Sequence, residues 1–285
     1  MKEALFAGSQ YLLPQKAISR AMGALAETQI TAIKNPFINW FIKKYQVDLS
    51  EAEITQPEAF KCFNDFFTRA LKADARPIDT GPGALACPAD GAISELGAIH
   101  KGQIYQAKNH YYTTQELLGG DPALARQFDN GQFVTVYLSP KDYHRVHMPV
   151  AGELQQMIHI PGDLFSVNQA TANNVPRLFA RNERVVCLFA TEFGPMAMVL
   201  VGAMIVASIE TTWAGLVTPQ KRQIQRWNYS DRQSLHFAQG EEMGRFKLGS
   251  TVVLLMAENA IGFKSGLMAG DPVRMGERLA TIGAS

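Results

Sequence analysis

The sequence predicts an α+β fold in which amphipathic helices precede a β-rich domain that is sandwich-like or barrel-like. Up to about Leu71, apolar residues recur at helical spacing. After Arg76-Pro77, the chain instead consists of short alternating or wholly apolar runs that turn residues separate. We therefore predict a helical module over residues 1–75 and a β-rich domain over residues 76–285.

The composition limits the classes of partner. A chain of 285 residues can bury a full core without disulfides, and its three cysteines are scattered without disulfide or zinc spacing. A net charge of +1 gives no basic field for nucleic acid. Hydrophobic residues make up 47% of the chain, which indicates a large core or extra apolar surface. Because we find no signal-peptide pattern and no apolar run of the ~18 residues that a spanning helix needs, we expect a cytoplasmic or membrane-surface protein.

The N-terminal module should contain three helical segments. An apolar face marks the first, with members Leu5, Phe6, Tyr11, Leu12, Leu13, Ile18, Met22 and Leu25. The second begins at Asn35-Pro36 and carries bulky residues between lysines, namely Phe37, Ile38, Trp40, Phe41, Ile42 and Tyr45. Aromatic side chains beside lysines suit a helix lying in the lipid interface. An ordinary helix packed on its own domain would have the same pattern.

The third segment, Thr55 to Arg69, is predicted to be one helix with its aromatic stripe in the core. Arg69 could bind a phosphate, but a solvated helix end is the preferred interpretation. In the β-rich domain, strands are predicted at residues 92–96, 103–107, 133–138, 152–160, 184–189, 196–209 and 251–257. Residues 114–128 are predicted to form an inserted helix, and the charged run 181–184 a solvated turn.

Gly249-Ser250 connects a polar turn to the apolar strand that follows Thr251. Glycine tolerates backbone conformations closed to other residues and lets a neighbouring atom come close. A serine hydroxyl at this point could attack the carbonyl of its own preceding peptide bond. A simple Gly-Ser turn entering a strand would look the same, so other residues have to support the chemistry.

Three further motifs occur in order: Pro88-Ala89-Asp90-Gly91, Asp142 to Pro149, and Lys247 to Thr251. Together they resemble the phosphatidylserine decarboxylases of the bacterial membrane-associated type, whose signature is a Leu-Gly-Ser-Thr self-cleavage site. The resemblance also includes residues 63–69 and 162–168 and covers nearly the whole chain. It implies a pyruvoyl-dependent carboxy-lyase of phospholipid biosynthesis that converts phosphatidylserine to phosphatidylethanolamine. It also implies a peripheral location on the cytoplasmic side of the cell membrane, against an anionic lipid surface.

The resemblance carries Asp90, His147 and Ser250 over as the charge relay of self-cleavage between Gly249 and Ser250. A serine is a poor nucleophile without a base, and a histidine oriented by a carboxylate supplies one. Attack by Ser250 Oγ on the Gly249 carbonyl, followed by β-elimination, would give a β chain of residues 1–249 and an α chain that begins with a pyruvoyl group at position 250. We expect the two chains to stay together as a heterodimer; a higher oligomer is left open.

The pyruvoyl ketone at position 250 would form a Schiff base with the substrate amine and accept the electrons left when CO2 departs. His144 is predicted to act as the acid or base of decarboxylation, because it lies near His147 in the sequence. A turn or bulge is needed there, since strand residues three apart face opposite sides. The residues expected to line the substrate cleft are Tyr137, Phe165, Ser166 and Asn168.

Three other functions stay open at this point. The pair His144-x-x-His147 with Asp90, Asp142 and Asp163 could bind a metal, but the His-Glu-x-x-His pattern is missing and no metal is predicted. A serine hydrolase would use Ser250, although the sequence around it has no Gly-x-Ser-x-Gly elbow. A non-enzymatic membrane-binding module would give the three self-cleavage residues no reason to meet.

Overall fold

The computed structural model describes residues 2–204, 208–218, 223–230, 234–247 and 250–283. Its helices are α1 (Lys2–Ser9), α2 (Gln15–Ala26), α3 (Thr31–Tyr45), α4 (Phe63–Phe67), α5 (Thr114–Leu117), α6 (Pro122–Ala125), α7 (Gln169–Ala172) and α8 (Leu178–Arg181). Short 3-10 turns occur at Pro57–Ala59 and Arg126–Phe128.

The first strands are β1 (Ala84–Ala86), β2 (Gly91–Ala98), β3 (Gln103–Ala107), β4 (His110–Thr113), β5 (Gln132–Leu138), β6 (Arg145–His147), β7 (Gly152–Ile160), β8 (Arg184–Thr191) and β9 (Gly194–Val201). The remainder are β10 (Ser208–Thr211), β11 (Gly215–Leu216), β12 (Gln225–Asn228), β13 (Leu235–Phe237), β14 (Glu242–Lys247), β15 (Ser250–Met256), β16 (Ile261–Phe263), β17 (Pro272–Val273) and β18 (Arg278–Ile282).

Two predicted helices are shorter than the sequence pattern indicates. The segment from Thr55 to Arg69 contains only a 3-10 turn and the five-residue α4, although its phenylalanines are buried as expected. The predicted helix over residues 114–128 is divided into α5 and α6 by Gly119 and Gly120, both at positive φ. Glycine adopts that conformation without steric cost, so the pair ends one helix before the next begins.

The aromatic face of α3 packs inside the protein, which corrects its interpretation as a lipid-inserted surface. Ile38 is fully buried, and Phe41 is 6% exposed. The ring of Phe63 in α4 lies 4.3 Å from that of Phe37 and 4.9 Å from that of Phe41. Trp40, on the same helix, is half-exposed, at 49%.

A large antiparallel sheet organises the β-rich domain. Within the described ranges it has nine strands in the order β12-β7-β8-β9-β15-β5-β2-β17, with β13 also paired to β7. One face packs with the N-terminal helices through the cluster that contains Phe41, Phe67 and Val253. The other face packs on the smaller β11-β10-β14-β6 sheet through residues such as Phe246 and Val252. The α+β class is thus confirmed, and the sheets are open.

The register of the central strands determines which residues share an edge of this sheet. Ser250 at the start of β15 pairs with Leu138 at the end of β5, and Thr251 pairs with Val201 of β9. On the far side of β5, Ala92 pairs with Tyr137. Asp90, two residues before Ala92, therefore lies at the same edge as Ser250. Two strand spacings separate their backbones, or roughly 10 Å.

Candidate active site

Ser250 is the first residue of β15 and is fully buried. Alternation along the strand puts it on the same face as Val252, which packs toward β6 and β14. Its Oγ has no hydrogen-bond partner among the described residues. Gly249, the other residue of the predicted cleavage site, lies outside the described residues.

Asp90 forms a buried ion pair with an arginine that the sequence reasoning did not single out. Its carboxylate accepts hydrogen bonds from Arg76 through Nε at 2.9 Å and Nη2 at 2.6 Å. The backbone N–H of Met275 donates to the same carboxylate at 2.8 Å. Next to it, a side chain at Gly91 would collide with the carbonyl oxygen of Tyr137, so glycine lets β2 approach β5 here.

His147 is held as a neutral imidazole with one defined tautomer. Its Nδ1–H donates to the Gly240 carbonyl at 2.8 Å, which leaves Nε2 to accept from the Tyr143 hydroxyl at 3.0 Å. Burial lowers the pKa of His147, while the Gly240 carbonyl and the Glu242 carboxylate partly oppose that shift. Its backbone N–H donates to the Pro88 carbonyl at 2.8 Å.

The predicted charge relay is therefore brought into one region, but its members do not form hydrogen bonds with one another in the described residues. Asp90 contacts Arg76, His147 contacts Tyr143, and Ser250 Oγ contacts no polar partner in the part of the chain that the structure describes. The backbone hydrogen bond from His147 to Pro88 connects the motif of residues 142–149 with that of residues 88–91. The β5–β15 pairing brings the third to the same edge.

The backbone of His144 is hydrogen-bonded to β14, the strand that precedes Ser250 in the chain. Its carbonyl accepts from the N–H of Phe246, near the end of β14. Its ring stacks on Phe67 with centroids 3.9 Å apart, and Nε2–H donates to the Ser139 carbonyl at 3.1 Å. Complete burial, reinforced by the Arg69 charge, lowers the pKa of His144 to about 3.

The two histidines consequently do not contact the same groups. Within the described part of the chain, Nδ1 of His144 is buried without a partner, whereas both ring nitrogens of His147 are occupied. A neutral imidazole with an open nitrogen can accept a proton. Within the described ranges, His144 Nδ1 is thus an acceptor without a partner and Ser250 Oγ a donor without one, and the two residues lie next to the paired strands β6 and β14.

The four residues predicted to line a substrate cleft fall in two places. Tyr137 lines a cleft of about 460 Å³ together with Asp90 and Ser139. The others lie beside the N-terminal helices: Phe165 is buried against Asn182, the Ser166 N–H donates to Gln10, and Asn168 caps α7.

Two polar residues around the cleft, Arg76 and Tyr143, were missed in the sequence reasoning, and a third, Arg69, was considered there as a phosphate ligand but assigned to a solvated helix end. Tyr143 lies inside the Asp142 to Pro149 motif, so that motif could have drawn attention to it. Nothing in the spacing of Arg76 connects it with Asp90, because the two meet only through tertiary structure. Arg69 was expected at a solvated helix end, yet it is 5% exposed.

The described part of the site combines a buried serine hydroxyl with two neutral imidazoles and has no metal-like cluster. Among the residues that the structure describes, no three His, Cys, Asp or Glu side chains are grouped so that they could hold a metal ion. Leaving a buried hydroxyl unbonded costs roughly 1–3 kcal/mol. That Ser250 Oγ has no partner among the described residues is therefore a feature that packing alone does not favour. Ser250 directly follows the peptide bond that its hydroxyl would attack.

Comparisons with known proteins point to one family. A family model described as phosphatidylserine decarboxylase matches residues 63–281, and a second, described as PSD, matches residues 5–46. The chain is 59% identical over 282 residues to the phosphatidylserine decarboxylase proenzyme of Pseudomonas putida (strain F1), covering 98% of both chains. The proenzyme of Pseudomonas entomophila (strain L48) is 60% identical over 282 residues, again 98% of each chain. That of Pseudomonas fluorescens (strain Pf0-1) is 58% identical over 286 residues and covers both chains completely.

Proposed function

The chain belongs to the phosphatidylserine decarboxylase family, and from this premise we propose that it is a proenzyme that cuts itself at Gly249-Ser250 and uses the resulting pyruvoyl group to convert phosphatidylserine to phosphatidylethanolamine. The observation that carries the proposal is the position of Ser250. It begins the central strand of the main sheet with a buried hydroxyl that has no partner among the described residues.

Self-cleavage begins when Ser250 Oγ attacks the carbonyl carbon of Gly249 and a base takes the hydroxyl proton. The ester so formed breaks when the α-proton of Ser250 is removed and the Gly249 carboxylate leaves. Water then converts the dehydroalanine to the pyruvoyl ketone and releases ammonia. In our proposal the base is His147, oriented by Asp90.

This assignment requires two exchanges of hydrogen-bond partner. Nε2 of His147 has to release the Tyr143 hydroxyl, and Asp90 has to loosen from Arg76 in order to reach His147. His144 is assigned to the later reaction. It is neutral, and its open Nδ1 can take up or return a proton at the substrate once it is reached.

The pyruvoyl group would supply an electrophilic carbonyl that captures a primary amine and accepts the electrons released with CO2. The surroundings of Ser250 suit such a group, because the residue is fully buried and its oxygen has no competing partner among the residues that the structure describes. Ser250 pairs with Leu138 of β5, and the pairing with β9 begins at the next residue, Thr251, so the start of this strand is held at one edge of the sheet.

A peripheral location on the cytoplasmic face of an anionic membrane is the second part of the proposal. No helix in the described ranges is both long and apolar enough to cross a bilayer. Helix α1 and the segment that connects it to α2 carry exposed apolar side chains, with Leu5 in the helix 68% exposed and Leu12 in the connection 88% exposed. Apolar residues of this kind can insert between lipid headgroups.

The first test is the chain pattern on a denaturing gel. We expect the purified protein to give two bands, with a smaller chain that resists Edman sequencing because a pyruvoyl group has no amine. Ser250→Ala removes the nucleophile and should give one intact, inactive chain. His147→Ala and Asp90→Asn should also remain uncut, whereas His144→Ala should cut but decarboxylate poorly.

The result that would contradict the assignment of the nucleophile is a cut, pyruvoyl-bearing Ser250→Ala chain. An intact wild-type chain that hydrolyses phospholipids would favour the serine hydrolase. Cleavage blocked by His144→Ala but not by His147→Ala would transfer the base role to His144, whose Nδ1 is already open.

A further inference from the structure

The hydroxyl of Tyr143 binds the ring nitrogen that the proposed base has to use. We propose that Tyr143 is a positioning residue of self-cleavage: its hydroxyl occupies Nε2 of His147 in the uncut chain, so cleavage proceeds only from molecules in which this hydrogen bond is open. The inference rests on the proposed function, in which His147 takes the proton of Ser250. It adds a residue that limits the rate of cleavage without touching the reacting atoms.

The direction of this hydrogen bond follows from the other nitrogen of the ring. Nδ1 of His147 lies 2.8 Å from the Gly240 carbonyl, which can only accept, so Nδ1 carries the proton. Nε2 is then an acceptor, and the Tyr143 hydroxyl at 3.0 Å is the donor. The hydroxyl thus binds the lone pair with which His147 would accept the proton of Ser250.

His147 is oriented by groups other than Tyr143. Its Nδ1–H donates to the Gly240 carbonyl, and its backbone N–H donates to the Pro88 carbonyl at 2.8 Å. Its strand, β6, is also paired with β14, where His147 lies opposite Glu242. Loss of the Tyr143 hydroxyl should therefore free Nε2 without releasing the imidazole ring.

The loop that carries Tyr143 is held by its own hydrogen bonds. The Asp142 carboxylate accepts from the N–H and the hydroxyl of Ser139 at 2.6 and 2.7 Å. Nη2 of Arg69 donates to the Asp142 carbonyl at 3.3 Å. Tyr143 lines the large cleft and is 5% exposed. Because the loop is fixed, the bond to His147 opens most readily by rotation of one of the two side chains.

The charged groups around the two rings are already paired. Those that act on both rings include Asp90, Glu242 and Arg145, and Arg245 also acts on Tyr143. Glu242 is bound to Arg145 at 3.0 Å, and Asp90 is bound to Arg76 at 2.6 Å. Burial raises the pKa of Tyr143, so its hydroxyl keeps its proton and remains a donor at neutral pH. The hydroxyl is therefore the partner that has to be displaced from Nε2.

This hydrogen bond stabilises the uncut state and not the attack. Nε2 has a single lone pair, so it cannot hold the Tyr143 hydroxyl while it takes the proton of Ser250. An interaction present only in the ground state raises the barrier by its own free energy. The same bond stabilises the neutral imidazole and thereby lowers the pKa of His147. Removal of the hydroxyl should consequently speed cleavage and raise that pKa.

The test follows self-cleavage of the freshly synthesised full-length chain. A short pulse of labelled methionine in cell-free synthesis is followed by a chase at several pH values, and denaturing gels give the uncut fraction. Tyr143→Phe keeps the ring and removes the hydroxyl, and we expect it to cut about threefold to tenfold faster at neutral pH. The pH below which the cleavage rate falls should move up by roughly half a unit to one unit.

Tyr112→Phe is the matched control for loss of a buried tyrosine hydroxyl. Tyr112 is 2% exposed, packs on Phe179 and does not line the cleft. This variant should cut at the wild-type rate. The double variant Tyr143→Phe/His147→Ala should stay uncut, because the nitrogen that the first substitution frees is then missing.

Titration of the imidazoles in the uncut Ser250→Ala chain requires no cleavage. With histidines labelled for NMR, Tyr143→Phe should raise the pKa of His147 by roughly half a unit to one unit. The exposed His236 should titrate as before. Should Tyr143→Phe fail to fold, 3-fluorotyrosine at position 143 keeps both ring and hydroxyl. Its more acidic phenol is a stronger donor and should slow cleavage.

A Tyr143→Phe chain that cuts no faster than the wild type, while His147→Ala stays uncut, would overturn the inference and leave the proposed function in place. Faster cleavage without a change in the titration of His147 would also count against it, because the hydroxyl would then act through another group. Normal cleavage of His147→Ala would instead refute the base assignment in the proposed function, and this inference with it.

Discussion

The protonation of two histidines decides what each can do in the uncut chain. The Gly240 carbonyl fixes the proton of His147 on Nδ1, and the Ser139 carbonyl fixes that of His144 on Nε2. The free nitrogen of His147 is covered by the Tyr143 hydroxyl, whereas that of His144 has no partner in the described ranges. Both side chains are neutral, but a pKa of about 3 makes His144 the weaker proton acceptor, so exchange of the hydrogen-bond partner at His147 is the step that would free the better base.

Burial of His144 has a consequence for acid stability. Its pKa is lowered to about 3 in the folded chain, so an unfolded chain takes up a proton first as the pH falls. The contribution of His144 to the free energy of unfolding is complete above its unfolded pKa, near 6.5. It is lost progressively as the pH falls toward 3. The expected slope is about 1.4 kcal/mol of unfolding free energy per pH unit for one proton.

We predict that His144→Gln reduces this acid sensitivity. The uncut Ser250→Ala chain is the suitable background, because it unfolds as one polypeptide. Between about pH 6.5 and pH 5, the free energy of unfolding should fall by roughly 2 kcal/mol more in the chain that retains His144 than in the chain that also carries His144→Gln. Urea unfolding at both pH values measures this difference. Equal losses in the two chains would mean that position 144 is not buried as a neutral imidazole.

At the level of secondary-structure elements, the sequence pattern predicted the strands more accurately than the helices. The expected strands at 133–138 and 251–257 correspond to β5 and β15, because a run of buried apolar residues bounded by turns admits few other structures. Helix α3 shows the limit of this reasoning. A face of bulky side chains has the same period whether it meets lipid or protein, and only the tertiary structure shows that α4 covers it.

The charged run at residues 181–184 is a second case in which local pattern misleads. It was expected to be a solvated turn, yet Asn182 is fully buried and Arg184 is 2% exposed. Asn182 Nδ2 donates to the carbonyls of Phe165 and Gly202. Buried polar residues of this kind form hydrogen bonds with backbone groups of distant segments that would otherwise lack a partner. A local sequence pattern does not show which distant segments those are.

The structure changes which part of the N-terminal module should meet lipid. Deleting residues 1–50 would also remove buried residues such as Ile38 and Phe41, so loss of lipid binding would be confused with loss of the fold. A point substitution at Leu12 avoids this problem, because its side chain is 88% exposed and contributes little to the core.

We predict that Leu12→Glu weakens binding to vesicles that contain phosphatidylserine, because a carboxylate cannot enter the apolar layer and is repelled by anionic headgroups. Vesicle cosedimentation measures this, and turnover of a short-chain soluble substrate should be nearly unchanged. Met268→Glu is the control, since Met268 is 61% exposed in the loop before β17. Equal loss of vesicle binding in both variants would argue against a specific role for the α1–α2 segment.

At the scale of the whole molecule, the motif order predicted that three distant segments serve one site. The structure brings Asp90 and Ser250 to one edge of the sheet, with His147 joined to Pro88. The partners of these residues could not be predicted. Arg76 reaches Asp90 from the module boundary, and Gly240 reaches His147 from a distant loop, because spacing along a chain does not determine which loops pack together.

The same sheet topology predicts that the two parts of a cut chain stay together. If the backbone breaks before Ser250, the α chain begins with β15, which remains paired with β5 on one side and β9 on the other. All seven residues of β15 are buried. Further contacts from the α chain include the Met275 N–H on Asp90 and the pairing of Arg278 with Asp79.

We therefore predict that the two chains co-elute in gel filtration under native conditions and separate only when the sheet is denatured. Arg278→Ala should not release the α chain, because an ion pair at the surface is screened by solvent and contributes little to stability. Leu254→Asp, written into the middle of β15, should prevent stable folding, because it places an unpaired carboxylate in the core and removes apolar burial. Separation of the wild-type chains in native buffer would mean that β15 is not held as a central strand, and a ketone at its first residue would then lack the buried, fixed position that the proposed chemistry requires.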